Sequence, residues 1–162
     1  MFTLIRAIAW SALFIGFVGV FMPAQVLQWA GVSGPSSIGA QQVAGEIVVL
    51  LGLAIAFSCI ATFVIVGRGT PAPFDPPRRL VTSGPYQFVR NPMYWGAGLA
   101  LCGAGLFYRS LALVGYALAF FVVLDQFIRW YEEPTLRRLF GAEYEAYCSR
   151  VRRWWPVPRR AQ

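Results

Sequence analysis

The sequence predicts an all-α fold: a polytopic membrane protein with about four transmembrane helices and a C-terminal cytosolic amphipathic helix, all in a single membrane domain spanning residues 1–162. Three observations predict it. Hydrophobic residues make up 57% of the chain and charged residues 13%, about half the roughly 25% charge of a soluble domain. The charges are clustered, which leaves long stretches with almost none. A chain of 162 residues cannot bury that much apolar surface in a water-soluble core.

The first apolar run covers residues 4–22, with Arg6 before its core and Pro23 expected to end it. A cleaved signal peptide also has a basic start and an apolar run. This run is long for one and lacks a clear small-x-small cleavage site, so the span is expected to be retained. A connector without charge, residues 24–42, leads to the second run, 45–66, which carries Glu46 near its outer end. The Pro- and Gly-rich stretch 67–79 that follows is loop, because such a density of breakers excludes helix and central strand.

The third span is expected over 92–108. Asn91 suits the N-cap and Pro92 the first helical position. Gly96, Ala100 and Ala104 recur every four residues, a small-residue row that lets two helices approach closely in lipid. Arg109 separates this span from the fourth, over 110–131, so the two form a tight antiparallel hairpin. Beyond it, Leu136, Phe140, Tyr144, Tyr147 and Val151 share one helical face, with Trp154 and Trp155 expected as interface anchors.

Orientation follows from arginine. All fourteen basic residues are Arg. Arg68, Arg78, Arg79 and Arg90 lie between the second and third spans, and seven more follow the fourth. Only Arg109 falls on the other side. The positive-inside bias therefore puts the 67–91 connector and the C-terminal tail in the cytosol. An inner or plasma membrane is expected, with both termini on the cytosolic side. The net charge of +7 is read as Arg facing anionic lipid headgroups, not nucleic acid. There is no His, which excludes a histidine base or a histidine metal ligand. Cys59, Cys102 and Cys148 fit no metal-ligand spacing, so no metal site is expected.

A hairpin brings its open ends together. Arg90, Asn91 and Tyr94 are therefore expected beside Arg129, Glu132 and Glu133. Glutamates there can accept hydrogen bonds from ribose hydroxyls or an ammonium group. Arg90, Arg129 and Arg138 can clamp a carboxylate. Tyr86, Tyr94, Trp95, Trp130 and Tyr131 can stack on a purine or face a sulfonium cation. Gly96 and Gly98 permit close backbone approach. S-adenosylmethionine presents all of these groups, and NADPH several of them. The plain structural readings stand beside these: paired glutamates as a solvated flank, interface aromatics as a lipid belt, and Asp125 as half of an ion pair with a loop Arg or a functional charge inside the span.

The string Leu80-Val81-Thr82-Ser83-Gly84-Pro85-Tyr86-Gln87-Phe88-Val89-Arg90-Asn91-Pro92-Met93-Tyr94-Trp95-Gly96 resembles the R-H-P-x-Y-x-G region of the isoprenylcysteine carboxyl methyltransferase and phospholipid methyltransferase superfamily. Glu132-Glu133-Pro134, with Phe140-Gly141-Ala142-Glu143-Tyr144 and Tyr147, is similar to its second half. The resemblance covers about residues 71–158, with the cofactor-binding region expected over about 80–158. It implies a cytosol-facing pocket for S-adenosylmethionine and a lipophilic or lipid substrate entering from the bilayer. The substrate would be an isoprenylcysteine-like carboxylate, a phospholipid amine, or a small lipophilic thiol or acid. By position it implies cofactor contacts from Tyr86, Pro92, Gly96, Gly98, Glu132, Glu133 and Arg138, and catalytic roles for Arg90, Asn91, Tyr94 and Arg129. The family's usual His is Asn91 here, and Asn cannot take a proton at neutral pH. That leans the acceptor toward an oxygen or sulfur nucleophile that needs alignment more than a base. The rival readings are a membrane NADPH-dependent reductase similar to sterol reductases, and a non-enzymatic small transporter or scaffold.

Overall fold

The computed structural model describes residues 9–10, 12–67 and 77–156. Part of the expected first span, Arg6, and most of the 67–79 loop with Arg68 lie outside the described residues, as do Arg159 and Arg160. The described residues are helices and connecting turns, with no strand among them. In chain order we label the helices α1 (Ala12–Trp29), α2 (Ala40–Thr62), α3 (Pro92–Phe107), α4 (Leu111–Phe127) and α5 (Glu133–Arg150).

Three helical stretches among the described residues are long and apolar enough to cross a membrane: Ala12–Trp29, Ala40–Gly67 and the apolar part of Leu111–Arg150. The four-span expectation is therefore met only in part. The remaining helix, α3, has 16 residues, about 24 Å at a 1.5 Å rise against a hydrocarbon core of about 30 Å.

Two expected boundaries are corrected. Pro23 does not end the first helix, which runs on to Trp29. The turn before it, Ile15–Phe21, is π-helical, and the Met22 N–H reaches back five residues to Phe17 O. The wider turn relieves the clash a proline ring makes with the carbonyl four residues earlier. The second helix begins at Ala40, not near residue 45, and its own Gln42 explains why. The Gln42 side chain accepts a hydrogen bond from Gly39 N (3.1 Å) and donates to Phe107 O (3.4 Å). Gln41 donates to Leu106 O (3.3 Å). These glutamines satisfy carbonyls at the end of α3, groups that a helix end leaves without partners.

Helices α2 and α3 make the most extensive contact in the molecule. Small residues carry it. A Cβ at Gly103 would stand 2.7 Å from both Gly45 O and Val49 N, so the two backbones touch. In lipid such packing replaces the hydrophobic drive that water would supply. Helix α4 packs on the other side of α3 through Leu113, Ala117, Phe120 and Leu124. Helix α1 leans on α4, where the Tyr116 hydroxyl donates to Val18 O (3.0 Å). The hairpin turn between α3 and α4 falls at Arg109 as expected, and Ser110 caps α4 by accepting from Leu113 N (3.3 Å).

The tail helix is not a separate element. A π-helical turn, Ile128–Glu132, joins α4 to α5 without a break, and Pro134 follows that wide turn as Pro23 follows the first. Gly141 kinks α5, with φ of 48° that glycine alone adopts freely. The expected apolar face does not lie open as a membrane-surface stripe. Tyr144, Tyr147 and Val151 are buried against Leu80, Leu136 and Phe140.

Candidate functional site

One end of the bundle gathers the end of α2, the start of α3, the α4–α5 joint and the segment after α5. The joint places the two glutamates there because the π turn rotates residues 128–132 relative to the α4 register. Tyr94, one turn into α3, donates its hydroxyl to Glu132 Oε2 (2.9 Å). Arg90 pairs with Glu133 (Nη2 to Oε1, 3.2 Å), with side chains only 13% and 5% exposed. The open ends of the hairpin thus meet in direct contact.

Between them lies an enclosed cavity of about 40 Å³, whose polar lining is Tyr86, Arg90, Asn91, Glu132, Glu133, Tyr144 and Tyr147. A wider cleft of about 410 Å³, lined by Ile65, Val66, Arg78, Arg79, Phe140 and Glu143, meets it at Leu80. Two donors at the inner cavity are buried without a partner among the described residues, Arg90 Nε and Asn91 Nδ2. An unpartnered buried donor costs about 1–3 kcal/mol, so two in one cavity mark a place built to receive acceptors.

Glu133 is the electrostatic centre. Arg153 grips it with two bonds, Nε to Oε1 and Nη2 to Oε2, both 2.8 Å. Arg137 stands 3.6 Å away. Burial by itself would push the Glu133 carboxyl up. The Arg153 hydrogen bonds and the charges of Arg90, Arg153 and Arg137 outweigh it and hold the carboxyl below its ordinary range. Burial pushes the Tyr86 phenol well up, so it stays protonated. Tyr147 fixes that turn by donating to Tyr86 O (2.6 Å).

Of the residues expected at the site, Tyr86, Arg90, Asn91, Glu132 and Glu133 line the cavity, and Tyr94 is bonded to it through Glu132. Pro92 is buried as the first residue of α3. Asn91 sits at the N-cap position, but its side-chain oxygen makes no capping bond, and its Nδ2 donor also has no partner among the described residues. The others stand elsewhere. Gly96 faces Gly52 and Ala56 of α2, and Gly98 faces the Phe121 ring of α4, so both serve helix contact. Arg129 is exposed and pairs with Asp125 (2.6 Å) within its own helix. Arg138 donates to Thr135 on the surface (3.1 Å). Trp154, expected as a lipid anchor, instead donates its indole N–H to Asp125 Oδ1 (2.9 Å). Arg153 was absent from the expected set, because in sequence it is one more arginine in a basic tail. So was Cys148, whose thiol accepts a hydrogen bond from Arg90 Nη1.

Among the described residues, an all-helical bundle with apolar outer faces and a charged cavity at one end is the architecture of an integral membrane protein. A family profile described as phospholipid methyltransferase matches residues 40–143, and this chain belongs to that family. Two similar relatives are named probable protein-S-isoprenylcysteine O-methyltransferase, from Oryza sativa subsp. indica and Oryza sativa subsp. japonica. Each is 32% identical over 85 residues, covering 48% of this chain and 41% of the relative. The match thus spans about two fifths of those relatives' length. No solved structure matches the chain.

Proposed function

We propose that this chain is an integral-membrane methyltransferase that moves a methyl group from S-adenosylmethionine to a lipophilic acceptor, at an end of the bundle that faces the cytosol. The observation that carries the reading is the Tyr94–Glu132 hydrogen bond at the cavity wall, with Asn91 Nδ2 and Arg90 Nε left as unpartnered buried donors beside it. The donor set fits the cofactor in kind. Unpartnered Arg and Asn donors suit a carboxylate, and Glu132 suits an ammonium or ribose hydroxyl. Ligand sites occupy about 300–1,000 Å³. The inner cavity of about 40 Å³ takes one functional group, and the cleft of about 410 Å³ takes the body of a ligand.

S-adenosylmethionine supplies an electrophilic methyl group on a sulfonium. The chain's part is placement. Tyr94 holds Glu132 in one orientation. Asn91 donates but takes no proton, so it orients and does not act as a base. Leu80, Phe63 and Ile128 give the cavity an apolar part of its wall. A carboxylate or thiolate acceptor needs no base, which supports an acceptor with an oxygen or sulfur nucleophile entering from the lipid side. Family membership does not favour the reductase or transporter readings.

Calorimetric titration of the detergent-purified protein with S-adenosylmethionine tests the reading, with a Glu132→Ala, Glu133→Ala variant alongside. Saturable binding that the double variant loses is expected. Equal titration curves, or none, would overturn it. Membranes given radiolabelled donor then identify the acceptor by the labelled product.

A further inference from the structure

We propose that Arg153 is a positioning residue for this site: it fixes the Glu133 carboxylate, and through it Arg90, at the wall of the inner cavity. The inference rests on the methyl-donor reading and adds a residue, outside the cavity lining, on which that reading depends.

Residues 151–156 leave α5 as non-helical chain, with Val151 extended at φ −124° and ψ 124° and bends at residues 153–155. They cross back over the motif that starts α3. Arg90 N donates to Arg152 O (3.0 Å), and the Trp95 indole N–H donates to Trp154 O (2.9 Å). These two bonds fix the backbone on both sides of Arg153. Trp154 anchors the same stretch to α4 through Asp125 (2.9 Å) and packs edge-on against Phe121 at 5.9 Å. Arg153 therefore starts from a held position, and its planar fork sets the plane of the carboxylate it grips.

The other cations on Glu133 cannot set that plane. Arg137 is 3.6 Å away and 44% exposed. Arg90 makes a single contact at 3.2 Å. The bidentate pair is the one that leaves Glu133 a single orientation, and Arg90 takes its place from Glu133 on one side and the Cys148 thiol on the other. The groups facing Glu133 are Arg90 from the loop before α3, Arg153 from the C-terminal strap, Arg137 and Tyr144 from its own helix, and the adjoining Glu132. Asp125 of α4 stands 3.6 Å behind Arg153 and holds it from the far side. The Glu133 hydrogen bond and the Glu133 and Asp125 charges raise the Arg153 guanidinium further, so it is charged at every pH at which the protein is folded.

The test uses the full chain in detergent and the variants Arg153→Gln, Arg153→Lys, Glu133→Gln and the Arg153→Gln, Glu133→Gln double. S-adenosylmethionine is titrated across pH. Arg153→Gln is expected to weaken binding by up to about 100-fold, the scale of a small misplacement at a site. The acid-side loss of affinity should also move to higher pH, because Glu133 then takes a proton more readily. Arg153→Lys should restore the pH profile in part, and the double variant should bind no worse than Glu133→Gln alone. Losses that multiply in the double variant, with an unmoved pH profile, would show a strap that only stabilises and would overturn the proposal.

A second arm uses no donor. Water-soluble maleimide is reacted with each protein, and Cys148 alkylation is followed by mass spectrometry. Release of Arg90, which both covers the sulfur and favours its reactive form, should change the Cys148 rate in Arg153→Gln and return it toward wild type in Arg153→Lys. An unchanged rate overturns the proposal even where binding is lost. Failure of the wild type to bind S-adenosylmethionine, with the alkylation pattern as expected, would sink the methyl-donor reading and leave Arg153 positioning Glu133 for another ligand.

Discussion

Helices α1 and α3 end with the same backbone motif, built on different residues. After α1, Gly31 N donates to Gln28 O and Val32 N to Leu27 O, with Gly31 at φ 63°. After α3, Arg109 N donates to Leu106 O and Ser110 N to Gly105 O, with Arg109 at φ 52°. The left-handed position costs a residue with a Cβ roughly 1–2 kcal/mol, part of which the greater chain entropy of glycine offsets. Arg109→Gly should therefore raise stability by about 0.5–1 kcal/mol, seen as a higher thermal midpoint in detergent. At the site, Tyr94→Phe removes the one bond that orients Glu132. A hydrogen bond to a charged group contributes about 1.5–3 kcal/mol, so S-adenosylmethionine should bind on the order of ten times more weakly or worse in the same titration. Glu133 makes the pH dependence specific. Its carboxyl is held below the ordinary range, so its contribution is fully present above that range and is lost as pH falls through the depressed value. The thermal midpoint should hold from neutral pH down through the ordinary carboxylate range and fall only below it. In Glu133→Gln that acid step should shrink, with a loss of about 1–3 kcal/mol at neutral pH from stranding the part-buried Arg90 and Arg153. That Arg90, Asn91, Glu132 and Glu133 gather at one cavity was legible because each is a polar group at the end of an apolar run. Arg129 and Arg138 stand outside it because one turn of rotation decides whether a helical arginine faces a cavity or water.

At the scale of elements, wide π turns precede both Pro23 and Pro134, and in each case the helix continues where proline predicts a stop. That is why the first helix was expected to end early and why the tail helix was expected to stand apart. Apolar runs, the Asn91-Pro92 start and the Arg109 hairpin were legible, since each depends on local chemistry. The partner of the small-residue row was not, because a row on α3 does not say which helix fills it. The structure gives it to α2, where Gly52 meets Gly96 and Ala100 of the row, and Gly45 meets Gly103, which lies beside Ala104 and outside the expected row. Gly103→Val should thus force the two helices apart and cost about 1–3 kcal/mol. It lies far from the cavity, so donor affinity per folded molecule should stay near wild type while the thermal midpoint drops.

For the whole molecule the decisive quantity is length. Helix α2 with its π turn runs 28 residues, Ala40–Gly67, while its partner α3 has 16. The two helices are pinned at one end by Gln41 and Gln42 on the α3 carbonyls, so the shortfall falls at the other end. There the short α3 begins with Asn91 and Pro92, both buried, and the Arg90–Glu133–Arg153 network covers it. The cavity therefore sits within the depth of the longer helices, where under the proposed function the head group of a lipophilic acceptor would meet it while the tail stays in lipid. A bilayer that is too thick would draw hydrocarbon over this charged end. Mismatch costs only fractions of a kcal/mol per ångström, but it acts on the layer that holds the site together. Reconstituted into lipids with acyl chains of about 14 carbons, the protein should show a higher thermal midpoint than in lipids of about 22 carbons. The same series should show tighter S-adenosylmethionine binding in the thinner membrane. A bundle whose short helix was fully sheathed by its neighbours would instead show no trend with chain length, because no polar surface would move relative to the lipid.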